Sequence, residues 1–158
     1  MTNVTMRLAL AVVLAGALAA PASAQSMSRG SAAAGEAHRE ACDAMLTATH
    51  DMMQALDADP SADVSAAMKK VDDGAKDCTY PHTVAAAQAF ETYAKAVVAH
   101  RSGDAGWVPV LDAALTQLAA CQSFWGTAKL GAHCATVAAT AAKQKAAWSG
   151  APAAAASP

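Results

Sequence analysis

Apolar residues recur every three or four positions along five segments of the chain, which is the spacing of one face of an α-helix. No segment alternates strictly between apolar and polar residues, so we expect no β-sheet. The predicted helices cover about 35–56, 61–78, 81–100, 107–121 and 130–148. Composition agrees, because 54 % of the residues are hydrophobic, only 4 % are aromatic, and alanine is the strongest helix former.

Turn-forming residues separate these segments. Pro60 and Pro81 interrupt the apolar pattern, and Ser61 is a predicted N-cap for the second helix. Residues 102–104 and 126–131 supply the later breaks. The connections are therefore short, which is typical of antiparallel neighbouring helices.

The four cysteines all lie on apolar stripes. In an antiparallel hairpin, residues at equal height have position numbers with a roughly constant sum. Aligning the stripes of the first two helices places Cys42 opposite Cys78, and aligning those of the last two places Cys121 opposite Cys134. We predict these two disulfides, since a bridge between helices must lie on their facing stripes.

The same arithmetic pairs the third helix with the fourth. The sequence thus predicts an all-α, up-down bundle of four to five helices with disulfide-stapled hairpins and all four cysteines near one end. That proximity leaves an alternative open, in which Cys78 pairs with Cys121 and Cys42 with Cys134.

The N-terminus resembles a secretory signal peptide. Arg7 precedes an apolar segment from Leu8 to Ala20, and Ala22-Ser23-Ala24 matches a cleavage site. The segment is too short for a permanent membrane span, and we expect no transmembrane segment in the mature chain. We predict a signal peptide at 1–24, a disordered leader at 25–34, a helical domain at 35–149 and a disordered tail at 150–158. Export to the periplasm or the medium favours disulfides.

Charge is unevenly distributed. The formal net charge is −2, which argues against nucleic-acid binding. The first hairpin is rich in acidic residues, whereas the last helix carries Lys129, Lys143 and Lys145 and no acid. We expect the last helix to pack near the first hairpin.

Histidines near the cysteine end are the main candidate metal ligands. His38 lies one turn before Cys42, His82 follows Cys78, and His133 adjoins Cys134. Such a cluster could hold zinc or copper, but disulfides are favoured in an exported protein, and we predict no cofactor. His100, at the opposite end, is predicted to be a solvated turn residue.

Methionines crowd the first hairpin. Met45, Met52 and Met68 lie on the predicted stripes and should fill the core, whereas Met53 beside His50 could face outward and bind copper.

No motif for nucleophilic, metal-dependent or phosphate chemistry is present, so we expect no enzyme. The leading functional hypothesis is an exported envelope or secreted protein that binds another macromolecule, an unknown protein, or acts in envelope stress or chaperoning. The alternative is a small periplasmic protein that binds copper or zinc.

Overall fold

Five α-helices and no strand make up the part of the chain that the computed structural model describes, which is residues 22–150, with side chains from residue 35 onward. The helices are α1 (Ala22–Ala58), α2 (Ser65–Asp77), α3 (Pro81–Arg101), α4 (Trp107–Trp125) and α5 (Lys129–Gly150). The predicted all-α fold is confirmed. The compact unit that carries the bundle begins at His38, within α1.

The first helix begins earlier than predicted. It starts at Ala22 instead of Gly35, so residues 25–34, for which a disordered leader was predicted, are helical. This stretch contains a run of alanines and no proline, and a single Gly30 costs only about 1 kcal/mol in a helix. Apart from residues 22–24 and Gly150, the predicted signal peptide and tail lie outside the described residues.

The second helix begins later than predicted. Ser61 is not its N-cap: the hydroxyl and N–H of Ser61 both donate to the carboxylate of Asp59, at 2.7 and 2.8 Å. These bonds hold the pKa of Asp59 below its ordinary value. Asp63 accepts the equivalent pair from Ser65, the first residue of α2. The carboxylate of each aspartate thus accepts hydrogen bonds from the serine two residues later. These local hydrogen bonds compete with helix formation, so α2 begins at Ser65 and not near Ser61.

Helix α3 is the centre of the bundle. Nine of its 21 residues are buried, and it packs against α2, α4 and α5. Five of the nine are alanines, whose small side chains allow neighbouring helices to approach on several sides. Glu91 is buried, and its Oε1 lies 2.6 Å from Nζ of Lys95 one turn later. The hydrogen bond from Lys95 raises the pKa of that lysine.

Two groups of buried residues form the core. The smaller joins α1, α2 and the start of α3: Cys42, Met45, Ala48, Val71, Cys78 and Ala87. The larger extends from Met52 and Leu56 of α1 across α3 to α4 and α5. Because α1 contributes to both groups, it links the core beside α2 to the core shared by α3, α4 and α5.

Both predicted disulfides are present. Cys42 is bonded to Cys78, with Cα atoms 4.7 Å apart, and Cys121 to Cys134, with Cα atoms 6.1 Å apart. Both separations lie in the ordinary range for a disulfide. The first bridge staples α1 to α2 and the second staples α4 to α5, as the hairpin register predicts.

Polar contacts tie the later helices together. The Tyr93 hydroxyl of α3 donates to Oε1 of Gln144 in α5 at 2.8 Å, and Lys145 of α5 pairs with Asp112 of α4. Lys145 therefore pairs with an acidic residue of α4, the neighbouring helix, and not with an acidic residue of the first hairpin. None of the described helices combines the length and apolar character needed to cross a membrane.

Candidate functional site

An open cleft of about 640 Å³ lies between α1 and the first turns of α5. We call it the α1–α5 cleft; its lining comprises Leu46, Thr49 and His50 from α1, Phe90 from α3, and Lys129, Leu130, Ala132, His133 and Thr136 from α5. Its volume is within the range of small-ligand sites.

Helical spacing places these side chains together. On α1, Leu46 and His50 are four residues apart, and on α5, Lys129 and His133 are too, so each pair lies on one face of its helix. Phe90 forms the floor, only 1 % exposed, and its ring centroid is 5.0 Å from that of His133.

The bundle's architecture explains the opening. The disulfide between Cys42 and Cys78 fixes α1 to α2, and the disulfide between Cys121 and Cys134 fixes α5 to α4. Each outer helix is therefore held to its own hairpin partner. Between them the two helices leave a gap, with the buried Phe90 of α3 at its base.

The polar side chains of the α1–α5 cleft are two threonine hydroxyls, two imidazoles and the Lys129 ammonium, of which only the ammonium cannot also accept a hydrogen bond. Thr49 and Thr136 already donate their hydroxyl protons to carbonyl oxygens of Met45 and Ala132 in their own helices, at 2.8 and 3.0 Å. Lys129 and the imidazoles of His50 and His133 supply the remaining N–H groups, and no carboxylate lines the cleft. The cleft thus combines apolar walls with a positive edge.

The candidate metal ligands His38, His82 and His133 each lie against a different group. Nδ1 of His38 donates to the carbonyl oxygen of Asp77 at 2.9 Å, which fixes the proton on that nitrogen, since a carbonyl only accepts. His82 stacks on Phe124 with ring centroids 3.6 Å apart, and His133 lies over Phe90. Within the described residues, no group of three or more His, Cys, Asp or Glu could hold a metal ion.

The methionines fill the core. Met45 and Met52 are fully buried, as predicted, and Met68 packs against the core from its edge. The expectation that Met53 could face outward is wrong: it is 3 % exposed and belongs to the larger core group. Three and four residues after Thr49, the helical repeat turns both Met52 and Met53 towards the core.

His100 is also placed differently from the prediction. Its ring stacks on Trp148 with centroids 3.9 Å apart and meets the edge of Trp107 at 5.3 Å. Because Trp107 and Trp148 also contact each other, the three rings join the ends of α3, α4 and α5. His100 is a packing residue here, not a solvated turn residue.

A second, smaller cavity lies at the disulfide end. It measures about 150 Å³, and its walls include His82, Gln117, Phe124 and Trp125. Phe124 is 54 % exposed, and Tyr80, two residues before His82, is 52 % exposed. This end therefore presents aromatic surface to solvent.

His133 and His50 both stand out in the sequence, but nothing in the sequence joins them in one cleft. Lys129 and His133 are four residues apart, so the sequence places both on one face of α5. Only the position of α1 beside α5 shows that this face lines a cleft. The chain matches no protein-family model, no curated protein and no solved structure. Its function is accordingly inferred from the geometry of the cleft.

Proposed function

We propose that this chain is an exported, non-enzymatic protein that acts by binding, and that the α1–α5 cleft is its binding site. The observation that carries the proposal is the cleft itself, where Phe90 and Leu130 line an opening of about 640 Å³ in an otherwise alanine-packed bundle. Concave, mostly apolar openings with a few polar groups are the usual form of ligand sites.

Export is supported by the two disulfides, which persist in oxidising compartments. The N-terminal pattern ending at Ala24 supports it further. In a bacterial host we expect the mature chain in the periplasm or the medium. Mass spectrometry of that fraction should find a chain beginning at Gln25; an intact segment from Leu8 to Ala20 would contradict export by this route.

A neutral apolar fluorophore tests the cleft. N-phenyl-1-naphthylamine should brighten on adding the oxidised protein and should be bound at one site. Ala132→Phe fills the α1–α5 cleft from α5 and should abolish the signal. Ala139→Phe is the matched control, at an exposed position of the same helix that does not line the cleft. It should leave the fluorescence signal unchanged. Equal signals from the two variants would refute the cleft as a binding site.

A macromolecular partner, including a client in envelope stress or chaperoning, is the second candidate. The exposed Tyr80 and Phe124 at the disulfide end favour it, because aromatic side chains are common anchors in protein interfaces. Photo-crosslinking from position 124 in intact cells should then yield one discrete adduct, absent when the crosslinker is placed at the exposed position 139.

A further inference from the structure

We propose that the ligand of the α1–α5 cleft is an amphipathic anion, with an apolar chain or ring and a carboxylate-like head. This inference rests on the proposed function and specifies its ligand. The apolar floor of the cleft at Phe90, the polar side chains at its edge (Lys129, His50 and His133) and the charge of Lys129 each favour one property of that ligand.

The floor selects an apolar body. Leu46 and Leu130, both half-buried, line opposite walls above the buried Phe90, so a ligand that enters meets apolar side chains on both sides. Removing such surface from water is favourable, and an occupant with an apolar body gains most from it. A small polar solute would gain no free energy from contact with these apolar walls.

The edge selects an acceptor. Both threonine hydroxyl protons are committed to helix carbonyls, at Met45 and Ala132, so the threonines offer a ligand no further proton. Within the described residues, no hydrogen bond or ion pair engages Lys129, His50 or His133. Their N–H groups are thus available, and because the Lys129 ammonium only donates, the group that it binds must accept hydrogen bonds.

The charge selects an anion. Lys129 is positive, and it is the first residue of α5, where the helix dipole is also positive. No carboxylate among the lining residues offsets this charge. A cationic amphiphile would be repelled by Lys129, whereas a carboxylate would form a charge-assisted hydrogen bond with it.

Competition against N-phenyl-1-naphthylamine tests the head group. Decanoate should displace the probe at a concentration about tenfold lower than decyltrimethylammonium, which has the same chain and the opposite charge. Lys129→Gln should weaken the binding of decanoate by about tenfold more than it weakens the binding of the neutral probe. Lys143→Gln, at an exposed position of α5 outside the cleft, is the control and should not weaken the binding of decanoate.

The outcomes separate the two proposals. If the probe binds in the cleft but both amphiphiles compete equally, or if Lys129→Gln and Lys143→Gln behave alike, the anion inference is overturned and the binding site stands. If Ala132→Phe and Ala139→Phe bind the probe equally, the cleft itself is refuted. Far-ultraviolet circular dichroism of each variant verifies that the bundle is intact.

Discussion

Gly74 of α2 packs so closely against Met45 of α1 that a Cβ atom at Gly74 would lie 2.8 Å from the Cβ atom of Met45. The carbonyl oxygen of Ala41 would lie 3.2 Å away. Rotation of the methionine side chain cannot relieve this contact, because it involves its Cβ and the backbone of α1. Four residues before Cys78, the absence of a side chain therefore lets the two helices meet beside their disulfide.

Replacing Gly74 with alanine should destabilise the protein by about 1–3 kcal/mol, the usual cost of overpacking. The gain of about 1 kcal/mol in helix propensity does not offset a clash with backbone. Urea unfolding measures the change. Gly35→Ala is the control, since nothing lies within 4 Å of a Cβ there, and it should be neutral or stabilising. A Gly74→Ala midpoint at or above that of the unmodified protein would contradict the close approach.

Much of this hairpin could be predicted from sequence. The pairing of Cys42 with Cys78 and of Cys121 with Cys134 followed from the 3.6-residue periodicity, because adjacent antiparallel helices must align their stripes. The same periodicity does not place α1 beside α5, which are not neighbours in the chain. The uneven charge predicted that the last helix packs near the first hairpin but not which residues face each other, so the α1–α5 cleft and its floor at Phe90 could not be predicted.

Other departures have local causes. The delay of α2 depends on aspartate side chains that compete with the helix, at Asp59 and Asp63. The packing of His100 depends on Trp107 and Trp148, which come from two other helices. The late start of α2 and the packing of His100 both arise from specific side-chain contacts, which the spacing of apolar residues does not predict.

The turn between α4 and α5 should tolerate no side chain at Gly131. A Cβ atom there would lie 2.3 Å from the carbonyl oxygen of Gly126, which itself has a φ of 53°. We expect Gly131→Ala to cost more than about 2 kcal/mol, because backbone must move. Gly126→Ala should cost about 1–3 kcal/mol, because its φ of 53° and ψ of −124° form a combination that side chains rarely adopt. Thermal unfolding measures both, with Gly150→Ala, where a Cβ meets nothing within 4 Å, as an expected neutral control.

The disulfides should each contribute about 3–4 kcal/mol to the free energy of unfolding on the chain-entropy model. The Cys42–Cys78 bridge, with a sequence separation of 36, should contribute slightly more than Cys121–Cys134, with a separation of 13. Paired alanine variants and urea unfolding test this order. Non-reducing peptide mapping tests the connectivity, and a peptide that joins Cys78 to Cys121 would show that the register is wrong.

Zinc should bind only weakly to the oxidised protein. The disulfides consume every described thiol, and no group of three or more His, Cys, Asp or Glu within the described residues could hold a metal ion. Isothermal titration calorimetry should give little heat, and the triple His→Gln variant at His38, His82 and His133 should behave like the parent. Tight, stoichiometric zinc binding that the triple variant loses would instead establish the metal-binding alternative.

Tyr93 should make stability depend on alkaline pH. Burial raises the pKa of Tyr93 above 10.0, and the hydroxyl donates to Gln144. A pKa raised by folding contributes stability that is complete below the unfolded value, about 10, and is lost as the pH rises through the folded value. Tyr93→Phe should therefore be about 1 kcal/mol less stable than the parent at pH 7, and this difference should shrink above pH 10. Urea unfolding of both proteins from pH 7 to 11 measures it; since Tyr80 is present in both, its titration cancels, and parallel curves would rule out the proposed role of the Tyr93 hydroxyl.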